Sequence, residues 1–237
     1  MLYSFSRLSL YQTCPYRFRR KYIDGIEEPV TKPLALGKAV HKAIELVIKG
    51  KTVDQAVLTG WLEADLHPDV TQMEIKELLQ NAPVQPGMGE TEVYFRLPLS
   101  DSLGAPELQG YMDLITGDSL VDWKTNWAMY DVLGTHQVGL YAWALQQLKK
   151  IPVVKGRLHF LRFKRSSEHL FSRADMEKAR KWALHWATEI ENKLFLLHVA
   201  PEEKDVLFPA TPSSACSHCP FAVECYRKFG EGMAYGN

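Results

Sequence analysis

Three short apolar stretches follow one another in the middle of the chain with only turns between them. They are "TEVYFRLPL" (91–99), "ELQGYMDLITGD" (107–118) and "SLVDWKTN" (119–126). Nothing else in the sequence limits the fold as much. Each alternates well enough for a strand; "SDSLGAP" supplies the first turn and Gly117–Asp118 the second. The three are therefore predicted to form an antiparallel meander.

The third stretch carries Asp122 and Lys124 two residues apart. Side chains at i and i+2 of a strand share a face, so carboxylate and ammonium sit side by side while Val121 and Trp123 turn toward a core. A lone pair of this kind is most often a salt-bridged edge strand. Asp113, on the preceding strand, changes that reading. Taken singly it is a solvated strand residue, but across an antiparallel pair it faces Asp122. Two facing acids repel, and they make sense with a cation between them; such oxygen ligands suit Mg2+ or Mn2+. Lys124 then points at the same spot, where it can orient a nucleophilic water or offset charge on a phosphorane-like transition state. That is phosphodiester chemistry.

Helical patterns surround the meander. Residues 6–23 read as a helix interrupted near Cys14–Pro15, with Leu8, Tyr11, Phe18 and Tyr22 at helical spacing. Arg17, Arg19, Arg20 and Lys21 make a basic patch between those aromatics. "PLALGKAVHKAIELVIKG" opens a clear helix ending near Gly50, with Ala39, Ala43, Leu46 and Val47 as its apolar face and His41 and Glu45 one turn apart. Residues 53–81 read as two helices broken around "HPDV", 129–150 as a helix, "VVKGRLHFLRFKR" as a fourth strand and 173–198 as a long amphipathic helix. The order predicts an α+β or mixed α/β fold around one central sheet.

Zero net charge in 237 residues excludes a general polyanion binder. Any nucleic acid must meet a local basic face, such as Arg17, Arg19 and Arg20, or Lys155, Arg157, Arg162, Lys164 and Arg165. No apolar run approaches the ~20 residues of a membrane helix. The N-terminus lacks a basic segment leading into an apolar one, so no membrane partner and a cytoplasmic location are expected.

Cys14 stands near the start, while Cys216, Cys219 and Cys225 lie together in "ACSHCPFAVEC". A reducing cytoplasm argues against disulfides, and this clustering suits a metal. Zinc usually takes two C-x2-4-C pairs, of which one is missing here. A [4Fe–4S] cluster accepts ligands from distant segments. His218 offers a substitute ligand, and four unrelated buried thiols are the plain alternative. Any site joining residue 14 to residue 225 closes a very long loop and stabilises the fold accordingly.

"GYMDLI" followed by "LVDWKT" resembles the signature of the PD-(D/E)XK nuclease superfamily, and the chain looks more narrowly like the RecB-like exonucleases. "SFSRLSLYQTCPYRFRRKYIDGIEEP" resembles that family's opening helix, "LGKAVHKAIE" its histidine motif and "HQVGLYAWAL" its Q-x3-Y motif. "CSHCPFAVEC" resembles the tail of its iron–sulfur branch, which includes the AddB nuclease domain and CRISPR-associated RecB-like nucleases. The five motifs occur in the family's order.

The resemblance implies a restriction-endonuclease-like core, a mixed central sheet flanked by helices. One domain covers 1–237, with 51–90 as a helical insertion and 199–237 joining Cys14 as the cluster-binding region. It implies that His41, Asp113, Asp122 and the Trp123 carbonyl hold Mg2+ or Mn2+, and that Lys124 is the catalytic lysine. Gln137 and Tyr141 would shape the wall and touch DNA, and Cys14, Cys216, Cys219 and Cys225 would hold a [4Fe–4S] cluster in preference to zinc. Arg17 and Arg20 are solvated charge taken alone, and phosphate contacts beside a nuclease site. Where many family members have Glu, this chain has Asp122. The implied activity is metal-dependent DNA exonuclease action on single strands or ends, in repair, recombination or phage DNA processing, beside a helicase or other recombination proteins. CRISPR adaptation trimming and a non-catalytic DNA-binding adaptor are the alternatives. Read without the resemblance, His41 is an ordinary helix histidine. Glu92 fits a plain strand carboxylate better than an outer metal ligand, and Trp127 and Trp143 fit the core.

Overall fold

The structure, a computed structural model, describes residues 1–230. In chain order the elements are β1 (Leu2–Tyr3), α1 (Phe5–Thr13), α2 (Pro15–Tyr22), α3 (Lys32–Ile48), α4 (Val53–Glu63), α5 (Gln72–Gln80), β2 (Glu90–Pro98), β3 (Glu107–Thr116), β4 (Ser119–Lys124), α6 (Gln137–Lys149), β5 (Val154–Phe160), β6 (Arg165–Phe171), α7 (Arg173–Val199), α8 (Lys204–Leu207) and α9 (Ala222–Phe229). They fall into two compact units. One gathers residues 1–29, 98–108 and the chain from 182 onward; the other holds 30–97 and 109–181.

In the second unit β3 pairs antiparallel with β4, β4 parallel with β5, and β5 antiparallel with β6, while β2 also bonds to β3. The sheet is thus mixed and flanked by helices, as expected. The two-residue turn Gly117–Asp118 joins Thr116 to its partner Ser119, with Gly117 at φ +63°, a conformation that favours glycine in tight hairpins. The parallel step from β4 to β5 is made by the crossover helix α6, since parallel neighbours cannot be joined by a tight turn.

α4 and α5 each open on a capping box, Thr52 with Gln55 and Thr71 with Glu74. They pack on α3 in a core that includes Ala35, Leu36, Ala39, Val40, Ala43, Ile44, Val57, Ile75 and Leu78, with Leu114 and Trp123 from the sheet. The buried face of α3 therefore lies to one side of the face expected from sequence, for Leu46 and Val47 are only partly covered.

Two segments differ from expectation. The helix predicted over 129–150 begins only at Gln137. Before it, the Asp131 side chain accepts from the Leu133 N–H at 2.8 Å and the Val132 N–H donates to Ser167 Oγ at 2.9 Å, which draws this backbone out of helical pairing. The strand predicted over 153–165 stops at Phe160. A short turn with Lys164 at φ +52° then reverses the chain into β6. β6, "RSSEHLF", buries only Phe171, so its sequence lacks the apolar alternation of a half-buried strand.

In the first unit Leu2 and Tyr3 pair with Glu107 and Leu108 at the start of β3. Cys14 is extended (φ −159°, ψ 102°) because a residue before proline avoids the helical region, and Pro15 then starts α2. Tyr11 and Tyr3 donate to Glu189 and Glu191 of α7 at 2.6 and 2.7 Å, which ties the N-terminal segment to that helix. Among the described residues no helix is long and apolar enough to cross a membrane.

Candidate active site

The β3–β4 register, Ile115 on Leu120 and Leu114 on Val121, sets Asp113 opposite Asp122 when continued by one pair. Asp113 Oδ2 accepts from the Trp123 backbone N–H at 2.8 Å and lies 3.3 Å from His41 Nδ1 on α3. His41 Nε2 lies 2.9 Å from the Trp123 carbonyl oxygen, which can only accept, so this nitrogen donates. Burial disfavours the imidazolium, but Asp113, Asp122 and Glu92 outweigh it and push the His41 pKa up to about 9.

Asp122 is 2% exposed. Its Oδ2 sits 2.6 Å from Lys124 Nζ without a well-aligned hydrogen bond. Burial raises the Asp122 pKa; the Lys124 charge opposes it and Asp113 adds to it, with a net rise. Burial alone would lower the Lys124 pKa, but Asp122 reverses the direction and keeps the amine charged. Lys124 Nζ also donates to Gln137 Oε1 at 2.7 Å, and Gln137 Nε2 donates to the Tyr141 hydroxyl at 3.4 Å. Gln137 and Tyr141 thus belong to this cluster, with Gln137 directly against the lysine.

Glu92 on β2 is the residue that sequence reasoning undervalued. Donor atoms of His41, Glu92 and Asp113 lie within 4.8 Å of one another, and among the described residues these three form the only such group. Burial, then Asp113, pushes the Glu92 pKa up to about 7. Its backbone is at φ +51°, a left-handed conformation that costs a side chain about 1–2 kcal/mol. Nothing in the sequence marks this strained position. Asp122 stands outside the group, engaged with Lys124. The donor set, two carboxylates and one imidazole close together, fits a divalent cation.

The cysteines lie in the other unit. Cys14 joins α1 to α2, Cys216 is in a short turn, Cys219 ends that turn and Cys225 is in α9. Burial raises the Cys225 pKa, and Cys14, Cys216 and Cys219 raise it further. In that unit the basic patch is largely neutralised. Arg17 meets Glu28 at 2.7 Å, and Arg20 meets Asp24 at 2.9 Å and Glu224 at 3.0 Å. Arg19 is a correction: it is buried against Asp205 and is not a surface phosphate contact. Trp127 is another, for it is 79% exposed and not core, whereas Trp143 is buried.

The sequence profile of the PD-(D/E)XK nuclease superfamily matches residues 3–226. No curated protein matches the chain. Among solved structures, a crystal structure of a candidate exonuclease from Eubacterium rectale is similar at 14% identity, covering 92% of this chain and 86% of that one with a TM-score of 0.49.

Proposed function

The chain belongs to the PD-(D/E)XK nuclease superfamily, and from that premise we propose that it is a RecB-like, metal-dependent deoxyribonuclease acting on single-stranded DNA or DNA ends. The observation that carries this is the convergence of His41, Asp113, Asp122 and Lys124 on one spot, with Glu92 beside them. A binding module gains nothing from crowded carboxylates next to a phosphate, whereas a nuclease needs them.

His41, Glu92 and Asp113 would hold a divalent ion with Asp122 adjoining, and the ion when bound supplies Lewis-acid stabilisation of phosphate charge. The protein's own part is electrostatic and geometric. Lys124, fixed between Asp122 and Gln137, presents an ammonium to the charge that builds on the phosphoryl oxygens and orients the attacking water. Tyr141 holds Gln137 from behind. His41 ties α3 to β4 through the Trp123 carbonyl.

We read the chain as one nuclease domain in which 51–90 is a helical insertion. Residues 199–237 join Cys14 as the cluster-binding region, and its seven residues 231–237 lie outside the described residues. Four thiolates drawn from distant segments suit a [4Fe–4S] cluster better than zinc, which usually takes two C-x2-4-C pairs.

Purified protein is expected to degrade single-stranded DNA with Mn2+, and Lys124→Ala or Asp113→Ala to abolish this while the fold persists. Wild-type hydrolysis surviving in EDTA would end the proposal.

A further inference from the structure

Trp127 is the only one of the six tryptophans left exposed, and it follows Lys124 by three residues. An indole offers about 150–250 Å² of mostly apolar surface, and its open face is available for stacking. One ring face is already occupied: the Arg162 guanidinium stacks on it at 3.6 Å from the centroid. Arg162 Nε in turn donates to the Thr125 carbonyl at 2.8 Å. The ring is therefore backed by a cation tied to the backbone one residue beyond Lys124. Arg162 forms no ion pair among the described residues, unlike Lys155 and Arg157, which share Glu168 at 3.0 and 2.9 Å. Its terminal N–H groups remain donors for an anion.

We propose that Trp127 and Arg162 form a base-stacking clamp that selects an unpaired DNA strand; this rests on the nuclease reading above and names its substrate. An open indole face takes a nucleobase only if that base has shed its own neighbour, which a single strand permits and the interior of a duplex forbids. The guanidinium behind the ring supplies charge for the adjoining phosphate and strengthens the stack. Three residues of chain separate the two Cα atoms by at most about 11 Å, so the clamp lies close to Lys124. It holds the strand beside the cutting site without touching the reacting atoms.

The test is binding of a labelled 20-nucleotide single strand in EDTA, read by fluorescence anisotropy. Trp127→Ala is expected to raise Kd about tenfold, and Trp127→Phe, which keeps a ring, much less. On an abasic strand of equal length, Trp127→Ala and wild type are expected to bind alike. Arg162→Ala is expected to weaken both strands and to lower the salt dependence by about one phosphate contact. If a variant folds poorly, wild type alone still decides: its tryptophan emission should quench with the normal strand and not with the abasic one. Equal losses on normal and abasic strands, or Trp127→Ala binding as wild type does, would overturn the clamp. Binding that behaves as expected in a protein that hydrolyses no DNA would overturn the nuclease reading and leave the clamp standing.

Discussion

Lys124 donates a hydrogen bond to Gln137 at 2.7 Å, from the end of β4 to the first residue of α6. The ammonium is thereby held from two sides, since Asp122 lies 2.6 Å away. Gln137→Ala leaves the charge and loosens its aim. Misplacement by about 1 Å at a reacting centre costs about 10²-fold, so Gln137→Ala is expected to lower kcat on single-stranded DNA by about that factor. Gln137→Glu, which keeps an acceptor, should retain more activity. Steady-state kinetics with Mn2+ check this, and equal loss in both variants would deny the positioning role.

Glu92 holds a carboxylate near His41 and Asp113 at the expense of a left-handed backbone. Mn2+ is expected to raise the melting temperature of the wild type, because a ligand that binds only the folded state stabilises it. Glu92→Gln should melt higher than wild type in EDTA, where like charges are relieved. It should also need about tenfold more Mn2+ for the half-maximal rise. An unchanged Mn2+ titration would remove Glu92 from the metal site.

Gly60 on α4 lies against α3, where an added Cβ would meet the Ala39 carbonyl oxygen at 2.3 Å. Helix propensity alone favours alanine by about 1 kcal/mol. Overpacking against rigid backbone costs about 1–3 kcal/mol and sometimes more. Gly60→Ala is thus expected to lower the melting temperature, whereas alanine at an open helical glycine would raise it.

Glu28 accepts from Arg17 and Lys21 at 2.7 and 2.8 Å. Burial raises its pKa, but those two bonds win and hold it below the usual glutamate range. A depressed folded-state pKa contributes stability that is fully present above the unfolded value, about 4.3, and is lost as pH falls through the folded one. Glu28→Gln should cost about 1–3 kcal/mol near neutrality, and the deficit should shrink toward pH 3 in melts across the range. A deficit that ignores pH would assign the effect to packing.

Cys14 lies about two hundred residues along the chain from the other three cysteines. Anaerobically purified protein is expected to show a broad absorbance near ~400 nm, which Cys14→Ser alone should bleach. A colourless wild type containing zinc would decide for the other metal.

The succession of β2, β3 and β4, the D-x-K face and the pairing of Asp113 with Asp122 are legible in sequence, because each follows from the two-residue period of a strand and the length of one turn. His41 and the Q-x3-Y pair were legible as positions on helices, not as contacts. β6 is not legible in sequence, because a polar edge strand lacks the apolar alternation that marks a half-buried one. The exposure of Trp127 is not legible in sequence, because composition cannot tell a packed indole from a presented one.

What the sequence determined by itself is therefore local: which residues share a face, where a proline or glycine stops an element, and which acids a short hairpin sets across from each other. Which distant groups meet was left to the tertiary structure. Glu92 reaches His41 and Asp113 through a strained backbone, Gln137 meets Lys124 across a crossover, and Arg162 backs Trp127 from the far side of α6 and β5 in the chain. Each of these contacts depends on how separate elements pack, and no periodicity in a linear sequence encodes that distance.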